Sequence, residues 1–228
     1  MTVAPYPEWK SWMYYANIFG AMPRNGECAD SDGAVALTFG RNDIPDNQLH
    51  RVREILDKNY SGSHLAMLQY LANNNDQVFN PGQPNREIAD VIDLYILAYR
   101  RPVAAQWELA VALVQIYGER WVANILGEQK LFCLWPRPGQ KSYRSKEVLE
   151  DARNILPKMK YPILFAHDLH LPRVYMLARK IWDRPIVGFP AITRRFDRKS
   201  VQLGTTAALP WYCREALGRA HHILNGWV

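Results

Sequence analysis

Residues 161–173 read YPILFAHDLHLPR, an apolar run with no polar alternation that passes straight into a polar cluster. A strand with one wet face alternates apolar and polar residues. A short run without that alternation, flanked by helical patterns, is a strand buried on both faces, as in parallel α/β sheets. The cluster that follows it is His167, Asp168, His170 and Arg173. It falls just past the strand's carboxyl end, which is where ligands bind in open α/β sheets.

The rest of the chain repeats that alternation of apolar runs and helical patterns. Residues 33–40, GAVALTFG, form a strand candidate ending in glycine, with Arg41, Asn42 and Asp43 next. Asp46 is placed to cap a helix whose inner face is Leu49, Val52, Ile55 and Leu56. A second helix is expected over 63–72, a surface loop over 73–84 and a helix from Asn85 to Tyr95 or beyond. Strands follow at 102–106, 130–135 and 185–189. Helices are expected at 107–117, from a cap at Ser145, over 174–182 and over 211–224. Strands alternating with helices predict an α/β, three-layer, Rossmann-like fold with a mostly parallel sheet of about five strands.

The chain has 228 residues, 48% hydrophobic and 22% charged, which fits one globular domain over 32–228. Residues 1–31 are aromatic and irregular. They read first as an arm packed on the body and second as a lid or a homodimer contact. The net charge of +6 is spread along the chain. Its densest spot, Arg194-Arg195 with Arg198-Lys199, is short and reads as a solvated loop, so nucleic acid is not the expected partner. A small anionic ligand explains the excess equally well. Cys28, Cys133 and Cys213 form no CxxC pair, which argues against a structural zinc site and fits a reducing, cytoplasmic setting. No apolar run approaches the roughly 18 residues that span a bilayer, and no secretory signal is expected.

Candidate site residues come from four strand exits. The first offers Gly40, Arg41 and Asn42, and the second Gln106 and Glu108. The third leads to Ser142, Ser145 and Glu147, and the fourth offers His167, Asp168, His170 and Arg173. Polar groups from separate segments, gathered at one sheet edge, are what a switch-point site requires. His170, His167, Glu108 and Glu147 are the candidates for proton transfer, because imidazole titrates near neutrality and carboxylates complement it. Arg173 at a helix start suits a carboxylate or phosphate. Each residue also has a plainer role. Asp168 and the serines serve as caps, Pro172 starts a helix, and Arg173 is a salt-bridge partner. His167 and His170 lack an accompanying carboxylate–histidine ligand pattern, so no metal is expected. There is no GxSxG, GxGxxG or GxxxxGK[ST] motif.

Four segments together resemble the bacterial SanA/ElyC/YdcF-like family of unknown function. They are AVALTFGRND, the SYRSKE segment with Ser142, Ser145 and Glu147, ILFAHDLHLPR with His170, Pro172 and Arg173, and the C-terminal HHILNGW. The resemblance implies a Rossmann-like fold and a cleft lined by these turns. It also implies nucleotide-like ligands such as S-adenosylmethionine and a link to envelope metabolism. Where that family's second strand ends in Ser-Gly-Gly, this chain reads Ala105-Gln106-Trp107-Glu108, which favours recognition by side chains. Two functional expectations follow for the cleft, with a third ranked below them, an interaction protein whose aromatic N-terminal arm docks a partner. One is a soluble enzyme acting on a small anionic or nucleotide-like metabolite. The other is a metabolite-binding module without catalysis.

Overall fold

The computed structural model describes residues 28–39, 64–73, 80–136, 143–182 and 185–187. It also describes Phe196, Thr205, Thr206, Ala207, Trp211, Cys213, Leu217 and Leu224. After a 3-10 turn at Cys28–Asp30 come β1 (Gly33–Ala36), α1 (His64–Asn73), α2 (Gly82–Tyr99), β2 (Val103–Gln106) and α3 (Trp107–Tyr117). Then follow α4 (Glu119–Gly127), β3 (Leu131–Leu134), α5 (Ser145–Ile155), β4 (Pro162–Phe165), α6 (Leu171–Ala178) and β5 (Ile186–Val187). The sheet order is β3-β2-β1-β4-β5 and every pairing is parallel. Four strands are four residues long and the fifth is two. This is the Rossmann-like order, in which the chain crosses from one side of β1 to the other between β3 and β4.

Successive residues of each strand serve opposite faces, which makes three layers. Ala34, Ala36, Val103, Ala105, Leu131, Cys133, Ile163 and Phe165 join α1, α2, α3 and α4 in one core. Val35, Ala104, Leu134 and Leu164 join α5 and α6 in the other. With both faces covered, none of β1, β2 or β4 has a solvent side, and their apolar sequences, broken only by Gln106 at the end of β2, follow from that.

Expected and observed elements differ in places that have local causes. The helix expected from Asn85 begins at Gly82, whose φ of 77° suits glycine. The loop expected over 73–84 therefore ends sooner. The helix expected over 174–182 occupies Leu171–Ala178, because His167 O accepts from both His170 N and Leu171 N and starts the turn early. Helix α4 was not expected. It follows α3 after Gly118 alone, whose φ is 85°. The helix expected behind Asp46 lies outside the described residues. Of the segment expected as a C-terminal helix, Trp211, Cys213, Leu217 and Leu224 are helical. No described helix is long and apolar enough to cross a membrane.

The sheet's amino-terminal edge is pinned by short polar contacts. Asp32 accepts from Lys160 N at 2.6 Å and Tyr161 N at 2.8 Å, which ties the entry of β1 to that of β4. Ser31 Oγ donates to Cys28 O and lies 2.7 Å from Tyr95 OH. Arg101 donates to the carbonyls of Cys28, Ala29 and Ser31. Residues 28–31, read from sequence as the end of an arm, thus belong to the body. All three cysteines are free. Burial pushes the Cys28 thiol up to about 11, against a smaller downward pull from Arg101. Burial alone pushes Cys133 up to about 12. Cys213 is exposed. Since the thiolate is the reactive form, a disulfide reagent at pH 8 should modify Cys213 fast and the other two only on unfolding. Fast modification of two or three thiols in the native protein would contradict this packing.

Candidate functional site

The strand order reverses between β1 and β4, so the switch-point crevice lies outside the carboxyl ends of these two strands. The β1 exit is held from three sides. Leu37 N donates to Phe165 O at 2.8 Å and carries the β1–β4 pairing one residue further. Gln106, the last residue of β2, accepts from Thr38 N at 2.8 Å and Thr38 Oγ1 at 3.0 Å with its amide oxygen. Asn85, fully buried in the first turns of α2, accepts from Phe39 N at 2.8 Å and donates to Pro81 O at 2.6 Å. Phe39 then stacks on His167 with ring centroids 3.5 Å apart and planes 10° apart. The two exits are thereby in face-to-face contact.

The β4 exit folds into the start of α6. His167 is fully buried and its Nδ1 accepts from Leu169 N at 3.2 Å. His170 is the N-cap of α6, the place read from sequence as suited to Asp168, and Pro172 is the second helical residue. Arg173 NH2 lies 3.1 Å from His170 Nδ1, and Ser145 Oγ lies 3.1 Å from His170 Nε2. A guanidinium has donors and no acceptor. Nδ1 of His170 therefore accepts from Arg173, and the ring proton sits on Nε2, donated to Ser145 Oγ. This contact can be made only by an unprotonated Nδ1. In this arrangement the nitrogen facing the Ser145 hydroxyl carries the ring proton.

Ser145 was expected to cap α5. Instead Arg144 is the N-cap residue and Ser145 the first helical residue, so its hydroxyl points at His170 rather than at its own helix. The capping is done by Glu147, whose Oε2 accepts from Arg144 N at 2.6 Å. That is one half of a capping box; an arginine side chain has no acceptor for the other half. The carboxylate thus sits at the positive end of α5. Glu108 is buried in the first turn of α3, two residues beyond Gln106, and Asp168 is buried at the β4 exit. Trp107 and Trp135 stack with centroids 5.7 Å apart and fill the carboxyl ends of β2 and β3 with apolar bulk. Gly40, Arg41, Asn42 and Ser142 lie outside the described residues.

Sequence reasoning therefore brought His167, His170, Arg173 and Ser145 to one place, with Gln106 bracing the neighbouring strand exit. It missed Asn85 and Trp211. The Trp211 ring is buried against Phe39 at 4.6 Å, His170 at 5.6 Å and His167 at 6.4 Å. The Arg173 guanidinium lies 5.9 Å from its centroid. An Asn inside a polar helix start and a Trp nearly forty residues beyond Arg173 carry no local signal of such roles. Among the described residues no group of three or more His, Cys, Asp or Glu side chains is arranged to hold a metal ion. Compared with family models, curated proteins and solved structures, the chain matches none.

Two outcomes test this geometry. Asn85→Ala removes the side-chain acceptor of the buried Phe39 N–H, so it should cost about 1–3 kcal/mol in urea unfolding; an unchanged midpoint would show that Phe39 N is satisfied otherwise. In a long-range proton–nitrogen spectrum at neutral pH, His170 should show its proton on Nε2. A proton on Nδ1 would refute the Arg173 contact.

Proposed function

We propose that this chain binds a small anionic metabolite in the crevice between the β1 and β4 exits, with Arg173 as the principal charge contact. The observation that carries the reading is the Ser145–His170–Arg173 chain of hydrogen bonds at the switch point of a Rossmann-like sheet. The guanidinium of Arg173 is a planar, always-charged fork that suits carboxylate and phosphate geometry. Its cation–aromatic contact with Trp211 orients the plane of the fork. The likeness of the His170-Leu171-Pro172-Arg173 turn to that of the SanA/ElyC/YdcF-like family supports the same cleft and a nucleotide-like ligand.

In this reading His170 is a neutral hydrogen-bond group rather than a proton carrier. A neutral imidazole that gives up its Nε2 proton without gaining one at Nδ1 becomes an anion, which is unfavourable near neutral pH. A second reading, acid–base catalysis on the same metabolite, is favoured by one observation: the buried Glu108 carboxylate at the head of α3. That chemistry would require Arg173 to leave Nδ1 when the ligand arrives.

Native mass spectrometry with AMP, S-adenosylmethionine and citrate provides the test. Arg173→Gln should weaken retention of the ligand that binds by about 10–100-fold, the loss expected for a charged hydrogen bond. Equal retention by the variant would defeat the proposal. Recovery of the bound compound chemically unchanged after long incubation supports binding alone, whereas conversion supports the catalytic reading.

A further inference from the structure

We infer that the indole N–H of Trp211 is a second ligand contact, donating to an oxygen of the same anion that Arg173 holds; this rests on the function proposed above. Trp211 is 2% exposed, and its Nε1 is buried with no hydrogen-bond partner. Buried Trp N–H groups ordinarily find an acceptor, because leaving one dry forfeits its hydration. Two other indoles do so: Trp121 Nε1 donates to Asp93 at 2.7 Å and Trp182 Nε1 to Met159 O at 3.1 Å. Trp211 leaves its Nε1 undonated where its ring meets Phe39 of one strand exit and His167, His170 and Arg173 of the other.

The chemistry of the neighbours says what the missing partner is. Indole nitrogen donates and cannot accept, and the same is true of guanidinium. Ser145 Oγ takes the His170 Nε2 proton, which leaves the hydroxyl's own hydrogen to be given outward. Indole, guanidinium and hydroxyl are thus three donors set around the His170 ring. A group with several acceptor lone pairs and no hydrogens meets all three, which describes an oxyanion: a carboxylate or a phosphate. The Glu147 carboxylate already occupies the amino-terminal end of α5, so that helix end is not the anion's seat. Trp211 supplies the contact that a second helix end would otherwise give.

The test follows the indole proton of Trp211 in nitrogen-15-labelled full-length protein, its resonance assigned by its loss in Trp211→Phe. Inorganic phosphate and acetate are titrated separately at constant pH and ionic strength. The expected result is a saturable displacement of that resonance by one of the two anions. The anion that moves it identifies a phosphate or a carboxylate as the recognised group. Trp211→Phe, which keeps an aromatic ring, should then lower the affinity for that anion about tenfold, the effect of one hydrogen bond. If Arg173→Gln abolishes binding while the Trp211 resonance stays still and Trp211→Phe binds normally, the inference falls and the proposed function stands. If Arg173→Gln binds as the parent does, or neither anion saturates the parent protein, both fall. Should Trp211→Phe fail to fold, the displacement in the parent protein decides, with the resonance assigned through its backbone connectivity.

Discussion

The parallel pairing of β1 with β4 is the constraint on which the rest of the molecule depends. Its register sets Gly33 against Pro162 and Ala36 against Phe165. The Leu37 N to Phe165 O bond then extends the pairing into the turns beyond. Those turns hold Phe39 on one side and His167 on the other. A shift of one residue would send each side chain to the opposite face. It would exchange Ala34 and Ala36 for Val35 and Leu37 in the core and separate the stacked rings. Asp32 reinforces the register from the far end by taking the amides of Lys160 and Tyr161.

Small residues in the middle strands make that arrangement compact. Ala34, Ala36, Ala104 and Ala105 let helices approach the sheet from both faces, and all four are fully buried. Gly33 belongs to the same pattern. A Cβ there would come within 2.7 Å of Met159 Sδ and 3.1 Å of Pro102 O. Large side chains fill the space on β3 and β4, with Leu134 and Phe165, and on the helices, where Leu109 and Leu113 are fully buried. Toward the carboxyl edge the character of the side chains changes. Gln106, Asn85 and His167 are buried there, and each uses an acceptor atom to hold the backbone of a turn. The site's frame is therefore built from buried polar groups, whose geometry is enforced because an unmatched one is costly.

That division explains what could be read from the sequence. Strand positions and the parallel, three-layer class were legible, because burial on both faces leaves apolar runs and the connections leave helical periods. The coincidence of His170, Arg173 and Ser145 was legible as a place, since all three stand beside strand exits or helix starts. Their mutual roles were not. Whether Ser145 caps a helix or meets His170 turns on a single residue of helix phase, and Arg144 takes the cap although arginine is a poor choice for it. Asn85 was hidden because it reads as the start of a helix that in fact begins three residues earlier, at Gly82. Trp211 was hidden because its partners come from 39, 167, 170 and 173, far away along the chain.

The protonation logic of His170 reaches furthest toward function. A donor that is always charged, set against Nδ1, leaves the imidazole one way to act, which is to hold its Nε2 proton toward an acceptor. Ser145 is that acceptor, and its own hydrogen is then directed onward. The chain from Arg173 through His170 to Ser145 thus delivers hydrogen-bond donation from a fixed cation to a hydroxyl at the head of α5. Such an arrangement directs donors, rather than a base, toward the hydroxyl. It turns into acid–base machinery only if the guanidinium withdraws from Nδ1. In the proposed function, binding and catalysis would therefore differ by the position of one side chain, that of Arg173 against His170 Nδ1.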